Sequence, residues 1–173
     1  MQVSAEAIKV LREQTSAGIM ECKRALQETD GDITAATEIL KQRGHAMAKK
    51  KETRAVGQGL VEAYIHGGGR IGALVEVNCE SDFVARTPEF KELAHDLAMQ
   101  VVAAKPKFVG REDVPQGEEA ADEDCLLLQP FIKDPGKNVQ DIITEAIAKV
   151  RENIKVKRFV RFELGLDGKN AQS

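Results

Sequence analysis

The chain has 173 residues, of which 42% are hydrophobic and 31% charged, and its net charge is −3. This apolar content excludes an intrinsically disordered chain, and the length suits one sizeable domain or a small domain joined to a larger one. The negative charge argues against a dedicated nucleic-acid binder, because clustered Lys and Arg supply most of the affinity for a phosphate backbone. No apolar run approaches the roughly 20 residues that cross a bilayer, and residues 1–6 resemble no targeting segment. We therefore expect a cytoplasmic protein without membrane contact.

Cysteine and histidine are few and widely spaced in this sequence. Metal ligands usually recur at short spacings, and disulfide frameworks usually have an even number of cysteines. Neither pattern is present, so we predict free thiols, no bound metal and no cofactor. The residues concerned are Cys22, Cys79, Cys125, His45, His66 and His95.

Residues 1–44 show the pattern of three short helices. Ser4 can cap the first helix, the second begins at about Ile19, and Asp32 can cap the third. Gly44 stands where the C′ glycine that ends a helix is expected. Helices this short bury little surface, so we predict a three-helix N-terminal module, similar to ubiquitin-associated modules, that is marginally stable alone.

The next segment, residues 45–56, is basic and rich in Ala and Lys. It lacks Gly and Pro, which favours a solvated connecting helix over a flexible linker. A run of charges is usually a solvated helix face, but Lys49–Lys51 leave contact with nucleic acid open as an alternative.

A β-hairpin is predicted from the alternation of apolar and polar residues on both sides of Gly67–Gly69. The glycine triplet does not indicate a phosphate-binding loop, because neither a Lys-Ser/Thr pair nor a strand–loop–helix context follows it. The apolar positions are expected to share one face of the hairpin: Val61, Ala63, Ile65, Ile71, Ala73, Val75 and Val77.

Two helices and a final strand complete a larger predicted domain, residues 57–165. Thr87 followed by Pro88 opens one helix, and Asn138 caps the other. In the final strand Arg158 interrupts an otherwise apolar face, which is typical of an edge or interface strand. That face comprises Ile154, Val156, Val160, Phe162 and Leu164.

Helices on one side of an antiparallel sheet define an α+β fold. The N-terminal helical module followed by such a domain is therefore the predicted architecture. An acidic segment at about residues 111–125, which contains Pro and Gly, is predicted to be a solvated loop, and residues 166–173 a frayed tail.

Two long motifs resemble signatures of the elongation factor Ts family. Residues 15–26 read TSAGIMECKRAL, and residues 76–86 read EVNCESDFVAR. Shorter matches occur at residues 129–131 and 161–165, so the resemblance extends over most of the chain.

Three features depart from the family pattern. Ser16 stands where the family usually has Gly, and Ser81 where it usually has Thr; both changes are mild. The family also carries a long, charged, helical stretch where this chain has only the acidic segment of residues 111–125. The chain therefore resembles the short form of the factor with a further deletion.

The resemblance implies a guanine-nucleotide exchange factor for the GTPase elongation factor Tu, which is not an enzyme. Asp82 and Phe83, with their neighbours Ser81 and Val84, are implied to wedge between helices of the GTPase near its Mg²⁺ site. GTPases hold nucleotide through Mg²⁺ and a phosphate-cradling loop, so displacing either loosens GDP. Without the resemblance, Phe83 could equally pack under its own helix and Asp82 could be an ordinary turn acid.

A second implied contact lies in the N-terminal module. Met20 and Lys23 are three residues apart and so share a helix face. With Ile19 and Arg12 they are implied to dock on the nucleotide-binding domain of elongation factor Tu. The alternative is that Met20 belongs to the core and Lys23 is an ordinary surface charge.

Two further residues and a possible dimer follow from the same resemblance. His66 is implied to reach the partner from the hairpin, and Asn78 either joins that contact or ties down the loop that follows it. Short forms of the family tend to be dimers, and the final strand from Ile154 could pair across a two-fold axis.

Rival functions make different use of the same residues. A nucleic-acid-binding module would use Lys49–Lys51 together with a face formed by Lys155, Lys157 and Arg161. An enzyme needs convergent titratable groups, which the spacing of histidines and carboxylates does not provide. Binding of a ubiquitin-like protein rests on fold analogy alone. Only the exchange-factor interpretation gives residues 76–86 a role, so no direct contact with nucleic acid is expected.

Overall fold

The computed structural model describes residues 3–165, so the tail predicted for residues 166–173 lies outside the described residues. The chain divides into two compact units: the first comprises residues 3–54 and Thr144–Asn153, and the second Ala55–Ile143 and residues 154–165. In chain order the helices and strands are α1 Ala5–Thr15, α2 Ile19–Glu28, α3 Ile33–Lys51, β1 Gln58–His66, β2 Ile71–Cys79, α4 Asp82–Ala85, α5 Pro88–Ala104, β3 Pro130–Phe131, β4 Asp134–Asn138, α6 Val139–Val150 and β5 Ile154–Glu163. None of the helices within residues 3–165 has both the length and the apolar content that a membrane crossing requires.

In the first unit, α1, α2 and α3 pack around a small apolar core. The Ser4 hydroxyl accepts from the Ala7 amide at 3.1 Å, and the Asp32 carboxylate accepts from the Ala35 amide at 3.0 Å, which confirms both predicted caps. A core of this size removes little apolar surface from water. Its buried members are Leu11, Cys22, Ala25, Leu26 and Ala36.

Helix α3 does not end at Gly44, as predicted, but continues to Lys51. Gly44 is buried, and a Cβ added there would lie 3.8 Å from the Cβ of Ala148 and 3.9 Å from Cγ2 of Thr144. An added Cβ would make ordinary van der Waals contact there, so Gly44 is a buried position inside α3, packed against a second helix, and does not terminate α3. The prediction was wrong because the packing partners of Gly44 lie far along the chain, in α6. At the end of α3, Lys51 Nζ donates to the carbonyl of Arg151 at 2.6 Å.

The second unit contains an antiparallel sheet in the order β1-β2-β5, with the short α4 and the longer α5 packed against its strands. Thr87 caps α5, because its hydroxyl accepts from the Phe90 amide at 3.2 Å, and Pro88 takes the first helical position. The predicted α+β fold, a three-helix module followed by an antiparallel sheet with helices on one face, is confirmed. Buried side chains of the sheet and of α5 include Ala73, Val75, Val77, Leu97 and Val101.

The hairpin forms as predicted, but its apolar residues do not share one face. In the observed register Ala63 pairs with Leu74, and Ile65 pairs with Gly72. Paired residues lie on the same side of a sheet, so the apolar residues of β1 face away from the side where Val75 is buried. The turn at Gly67–Gly69, whose φ angles are +62°, +66° and +88°, sets this register, and such angles favour glycine.

A β-bulge divides the predicted apolar face of β5. Val156 pairs with Val77 and Arg158 with Glu76, so Lys157 is the extra residue. Ile154 and Val156, which precede the bulge, lie on the side of β2 that packs on α5, whereas Val160 and Phe162, which follow it, lie on the opposite side. The strand does lie at an edge of the described sheet, as Arg158 indicated.

The side of the sheet opposite α5 therefore carries several exposed apolar side chains and is uncovered in the described part of the chain. We call it the open sheet face. Glu76 and Arg158 form an ion pair on it, with Arg158 Nε 2.8 Å from the carboxylate, and this hydrogen bond lowers the pKa of Glu76. Its exposed apolar members are Val61, Ile65, Leu74 and Phe162, which are 44–64% exposed.

The acidic segment forms a loop with a closed base. The amides of Lys107 and Phe108 donate to the carbonyl of Asp124 at 2.8 and 3.0 Å, and the amide of Leu126 donates to the carbonyl of Phe108 at 2.9 Å. Most side chains between these residues are exposed, and short 3-10 turns occur at Arg111–Asp113 and Asp122–Asp124.

A buried amide pair fixes the segment after this loop to α5. Gln100 is 0% exposed and Gln129 2%. The side-chain amide of Gln100 donates to Gln129 Oε1 and to the carbonyl of Pro130, both at 3.1 Å, and its oxygen accepts from the Ile132 amide at 2.9 Å. Gln129 in turn donates to the carbonyl of Glu123 at 2.7 Å. The β3–β4 hairpin that begins here was not predicted from the sequence.

All three cysteines are free and buried, in agreement with the prediction of free thiols. Burial raises the pKa of Cys22 and of Cys125. A raised pKa lowers the fraction of thiolate, which is the reactive form.

Candidate functional site

Residues Ser81–Val84 form a compact turn where the hairpin ends, and Phe83 stands out from it. Ser81 caps the single turn of α4, with its hydroxyl 3.4 Å from the amide of Val84. A helical turn replaces the irregular loop expected from the sequence, because this cap and the acid at Asp82 both favour a helix start. The Phe83 side chain is 79% exposed, the largest value among the large hydrophobic residues within residues 3–165.

The Ser81–Val84 turn is held from both sides. Cys79 Sγ donates to the carbonyl of Ser81 at 3.1 Å. The Thr87 hydroxyl donates to the carbonyl of Val84 at 2.8 Å, and its amide donates to the same oxygen at 3.0 Å. These hydrogen bonds therefore hold the backbone that carries the exposed Phe83 side chain.

Asp82 is engaged within its own helix. Arg86 Nη2 donates to Asp82 Oδ2 at 2.7 Å, and the two side chains are 75% and 45% exposed, respectively. Exposed ion pairs of this kind contribute little to stability, so Asp82 can exchange Arg86 for a partner group at small cost.

The candidate docking residues of the N-terminal module lie on the surface of the first unit. Ile19 and Met20, the first two residues of α2, are 54% and 65% exposed, and Lys23 is exposed one turn later. Met20 is therefore not a core residue. Arg12 and Ile19 line the same open groove of about 650 Å³, and Lys9 and Lys149 contribute two further cations to it.

His66 and Asn78 do not lie together. Gln58 at the start of β1 pairs with Cys79, whereas His66 at its end pairs with Ile71. A strand of this length spans about 26 Å, so His66 and the Ser81–Val84 turn occupy opposite ends of the hairpin. Asn78 Nδ2 donates to the carbonyl of Gln58 at 3.3 Å, which ties the two strands together just before that turn.

The basic face proposed for nucleic acid does not assemble on β5. Arg161 Nε donates to the carbonyl of Val102 at 3.2 Å, and its Nη2 lies 2.7 Å from the Glu163 carboxylate. Lys155 pairs with Asn78 and Arg161 pairs with Ala73, so the bulge at Lys157 places these two cations on opposite sides of the sheet.

The structure also groups residues that sequence reasoning did not connect. Tyr64 OH lies 3.0 Å from His66 Nδ1, and the Tyr64 ring packs edge-on against His95 with ring centroids 5.5 Å apart. His95 Nδ1 lies 3.1 Å from Glu62 Oε1. We call these four residues the Tyr64 cluster. The alternation of β1 was a signal for placing Glu62, Tyr64 and His66 on one face, but no local pattern indicates His95.

Comparison with known proteins places the chain in a family. The family model described as "Elongation factor TS" matches residues 2–124. The Elongation factor Ts of Carboxydothermus hydrogenoformans is 51% identical over 94% of this chain and 89% of its own length. The proteins of the same name from Heliobacterium modesticaldum and Thermotoga neapolitana are 52% and 47% identical, over 94% and 97% of this chain and 90% and 100% of their own lengths. The chain belongs to the elongation factor Ts family.

The residues matched by the family model include every candidate site residue. The matched range includes both the N-terminal module and the Ser81–Val84 turn. The alignment with the Carboxydothermus protein extends over 194 positions, more than the 173 residues of this chain, so that relative carries residues that are missing here.

Proposed function

We propose that this chain is the guanine-nucleotide exchange factor for elongation factor Tu in protein synthesis, acting in the cytoplasm without catalysing a chemical reaction. It promotes release of GDP by disturbing the Mg²⁺ and phosphate site of the GTPase. The observation that supports this most directly is Phe83, a large apolar side chain held out from an anchored turn next to an acid.

An exchange factor works by binding one state of its partner better than another. If the factor binds the nucleotide-free GTPase more tightly than the GDP-bound form, it must weaken GDP binding by the same factor. Such a protein needs no nucleophile and no general base. It needs a preformed surface whose contacts become available only when the nucleotide site opens.

Phe83 suits this role energetically. Full burial of a Phe side chain is worth about 1.5–3 kcal/mol, and in the free protein most of that contribution is not used because the ring is 79% exposed. A pocket that opens between helices of the GTPase when Mg²⁺ is lost would capture this energy. Asp82, held only by the exposed Arg86, is free to contact groups released at the same site.

The first unit supplies a second contact. Met20, Ile19 and Lys23 present apolar surface and a cation at the start of α2, and Arg12 adds a cation in the adjacent groove. This surface docks on the nucleotide-binding domain and holds the factor on the GTPase, while the Ser81–Val84 turn acts on the nucleotide site.

Release of a fluorescent GDP from elongation factor Tu tests the proposal. The native chain is expected to accelerate release in a concentration-dependent manner, and Met20→Ala is expected to raise the concentration needed for half-maximal acceleration, because it removes docking surface. Failure of the native chain to accelerate release at any concentration would overturn the proposed function.

We also propose that the chain forms a homodimer through the open sheet face. A two-fold interface brings identical patches together, and all three strands of the sheet contribute exposed apolar side chains to this face. A second copy would cover Val61, Ile65, Leu74 and Phe162 at once. Contiguous exposed apolar surface of this kind usually marks an interaction site.

Phe162→Glu tests the dimer. Because Phe162 is 63% exposed in the single chain, the variant is expected to fold normally, whereas a carboxylate buried against an apolar copy would be strongly unfavourable. Sedimentation equilibrium should show twice the chain mass for the native protein and the chain mass for the variant. Ile132→Glu, an exposed apolar residue outside this face, is the matched control. A native protein that stays monomeric at high concentration contradicts the proposal.

A further inference from the structure

The Tyr64 cluster occupies the end of the hairpin that carries His66, at the turn opposite the Ser81–Val84 turn. Tyr64 is the only tyrosine of the chain, and two of its three histidines are members. The cluster combines one hydrogen bond at 3.0 Å, one edge-to-face ring contact and one histidine–carboxylate contact at 3.1 Å. None of these contacts is needed to fill the core, since the side chains of His95 and Glu62 are 48% and 29% exposed.

The contacts link Glu62 to His95 and His95 to Tyr64. An ionised carboxylate only accepts hydrogen bonds, so His95 Nδ1 carries a proton and donates it to Glu62. This bond fixes the plane of the His95 ring, and the ring in turn packs at 90° against Tyr64. Edge-to-face packing restricts the orientation of an aromatic ring. Glu62 and His95 thus hold the Tyr64 ring from the side of α5.

We propose that Tyr64 is a positioning residue for His66: its hydroxyl donates to His66 Nδ1 and thereby fixes both the imidazole plane and its tautomer. A neutral imidazole that accepts at Nδ1 carries its proton on Nε2. His66 is exposed, so Nε2–H is presented as a single, oriented donor. The partner chemistry that this donor fits is an oxygen acceptor on the GTPase, either a carbonyl or a carboxylate.

This inference rests on the proposed function only in giving His66 a partner; the tautomer itself is a property of the free protein. Nitrogen-15 NMR of the histidine side chains, at a pH where the imidazole is neutral, is expected to show His66 entirely as the Nε2–H form. Tyr64→Phe keeps the ring that packs on His95 but removes the hydroxyl, so the variant should populate both tautomers. A native His66 with its proton on Nδ1, or the same spectrum in both proteins, overturns the inference.

Exchange assays provide the second readout. Tyr64→Phe should slow GDP release about threefold to tenfold, the effect of losing one hydrogen bond, without a change in melting temperature. Glutamine places an amide donor near the position of Nε2–H, so His66→Gln should retain more activity than His66→Ala, and adding Tyr64→Phe to His66→Gln should have no further effect. His45→Gln, in α3, is the matched control and should leave exchange unchanged.

The outcomes separate this inference from the proposed function. If the native chain does not accelerate exchange, the proposed function fails while the NMR result still stands. If His66→Ala slows exchange but Tyr64→Phe does not, or if Tyr64→Phe slows the His66→Gln variant as much as the native chain, the positioning role of Tyr64 is wrong.

Discussion

Phe83→Ala is expected to slow GDP release from elongation factor Tu by about 30-fold or more at a sub-saturating concentration of the factor. Central aromatic residues at interfaces typically contribute at least about 2 kcal/mol, and about 1.4 kcal/mol corresponds to a tenfold change. The stability of the folded chain should be nearly unchanged, because a side chain that is 79% exposed contributes little to the core. We therefore expect a change in the free energy of unfolding within about 0.5 kcal/mol.

Two control variants sharpen this experiment. Phe83→Leu keeps much of the apolar volume and should give an intermediate rate. Ile132→Ala removes another exposed apolar side chain of the second unit, 37% exposed, and should leave the rate unchanged. Asp82→Asn, measured alongside, separates the contribution of the acid from that of the ring. An unchanged rate in Phe83→Ala, with the native chain active, would show that exchange proceeds through another surface.

Gln100→Leu is expected to destabilise the second unit by about 2–4 kcal/mol. Leucine has a similar volume, but it leaves the Ile132 amide and Gln129 Oε1 without the partners that they have in the native protein. Each buried polar group that loses its hydrogen bond costs about 1–3 kcal/mol. For a chain of this size the loss corresponds to a decrease in melting temperature of roughly 5–15 °C.

Hydrogen exchange gives this prediction a local readout. The Ile132 amide should exchange much faster in Gln100→Leu, because its acceptor is gone. Gln42→Leu is the matched control: Gln42 is exposed in α3, where it donates to Glu38 at 3.0 Å, and its loss should change stability by less than about 0.5 kcal/mol. GDP release at low temperature should be unaffected in Gln100→Leu, since Phe83 keeps its anchored turn. Equal stability of the two variants would contradict the structural role of Gln100.

The helix starts were predictable because the interactions that define them are local. Ser4, Asp32, Thr87 and Asn138 each accept a hydrogen bond from an amide three residues later, so the residue type and its position suffice. The hairpin was equally predictable, because its turn of three glycines separates two segments in which apolar and polar residues alternate. The family motifs add residue roles that no local rule provides.

The errors share a different physical origin. The sequence predicts a helix end at Gly44 because no local signal indicates that α6 packs against it. The apolar residues of β5 were assigned to one face because the bulge at Lys157 exists only in the pairing with β2. The Tyr64 cluster was missed because His95 reaches it from α5.

The sequence by itself determined the helix boundaries that depend on caps, the α+β class, the hairpin and the motifs of the family. Only the tertiary structure decided which side of each strand is buried, that Phe83 is held outside the core, and that Tyr64 contacts His66 and His95 together. The physical reason is the range of the interactions. A cap or a turn is satisfied within four residues, whereas the face of a strand and the neighbours of an exposed ring depend on pairing with segments that lie far away in the chain.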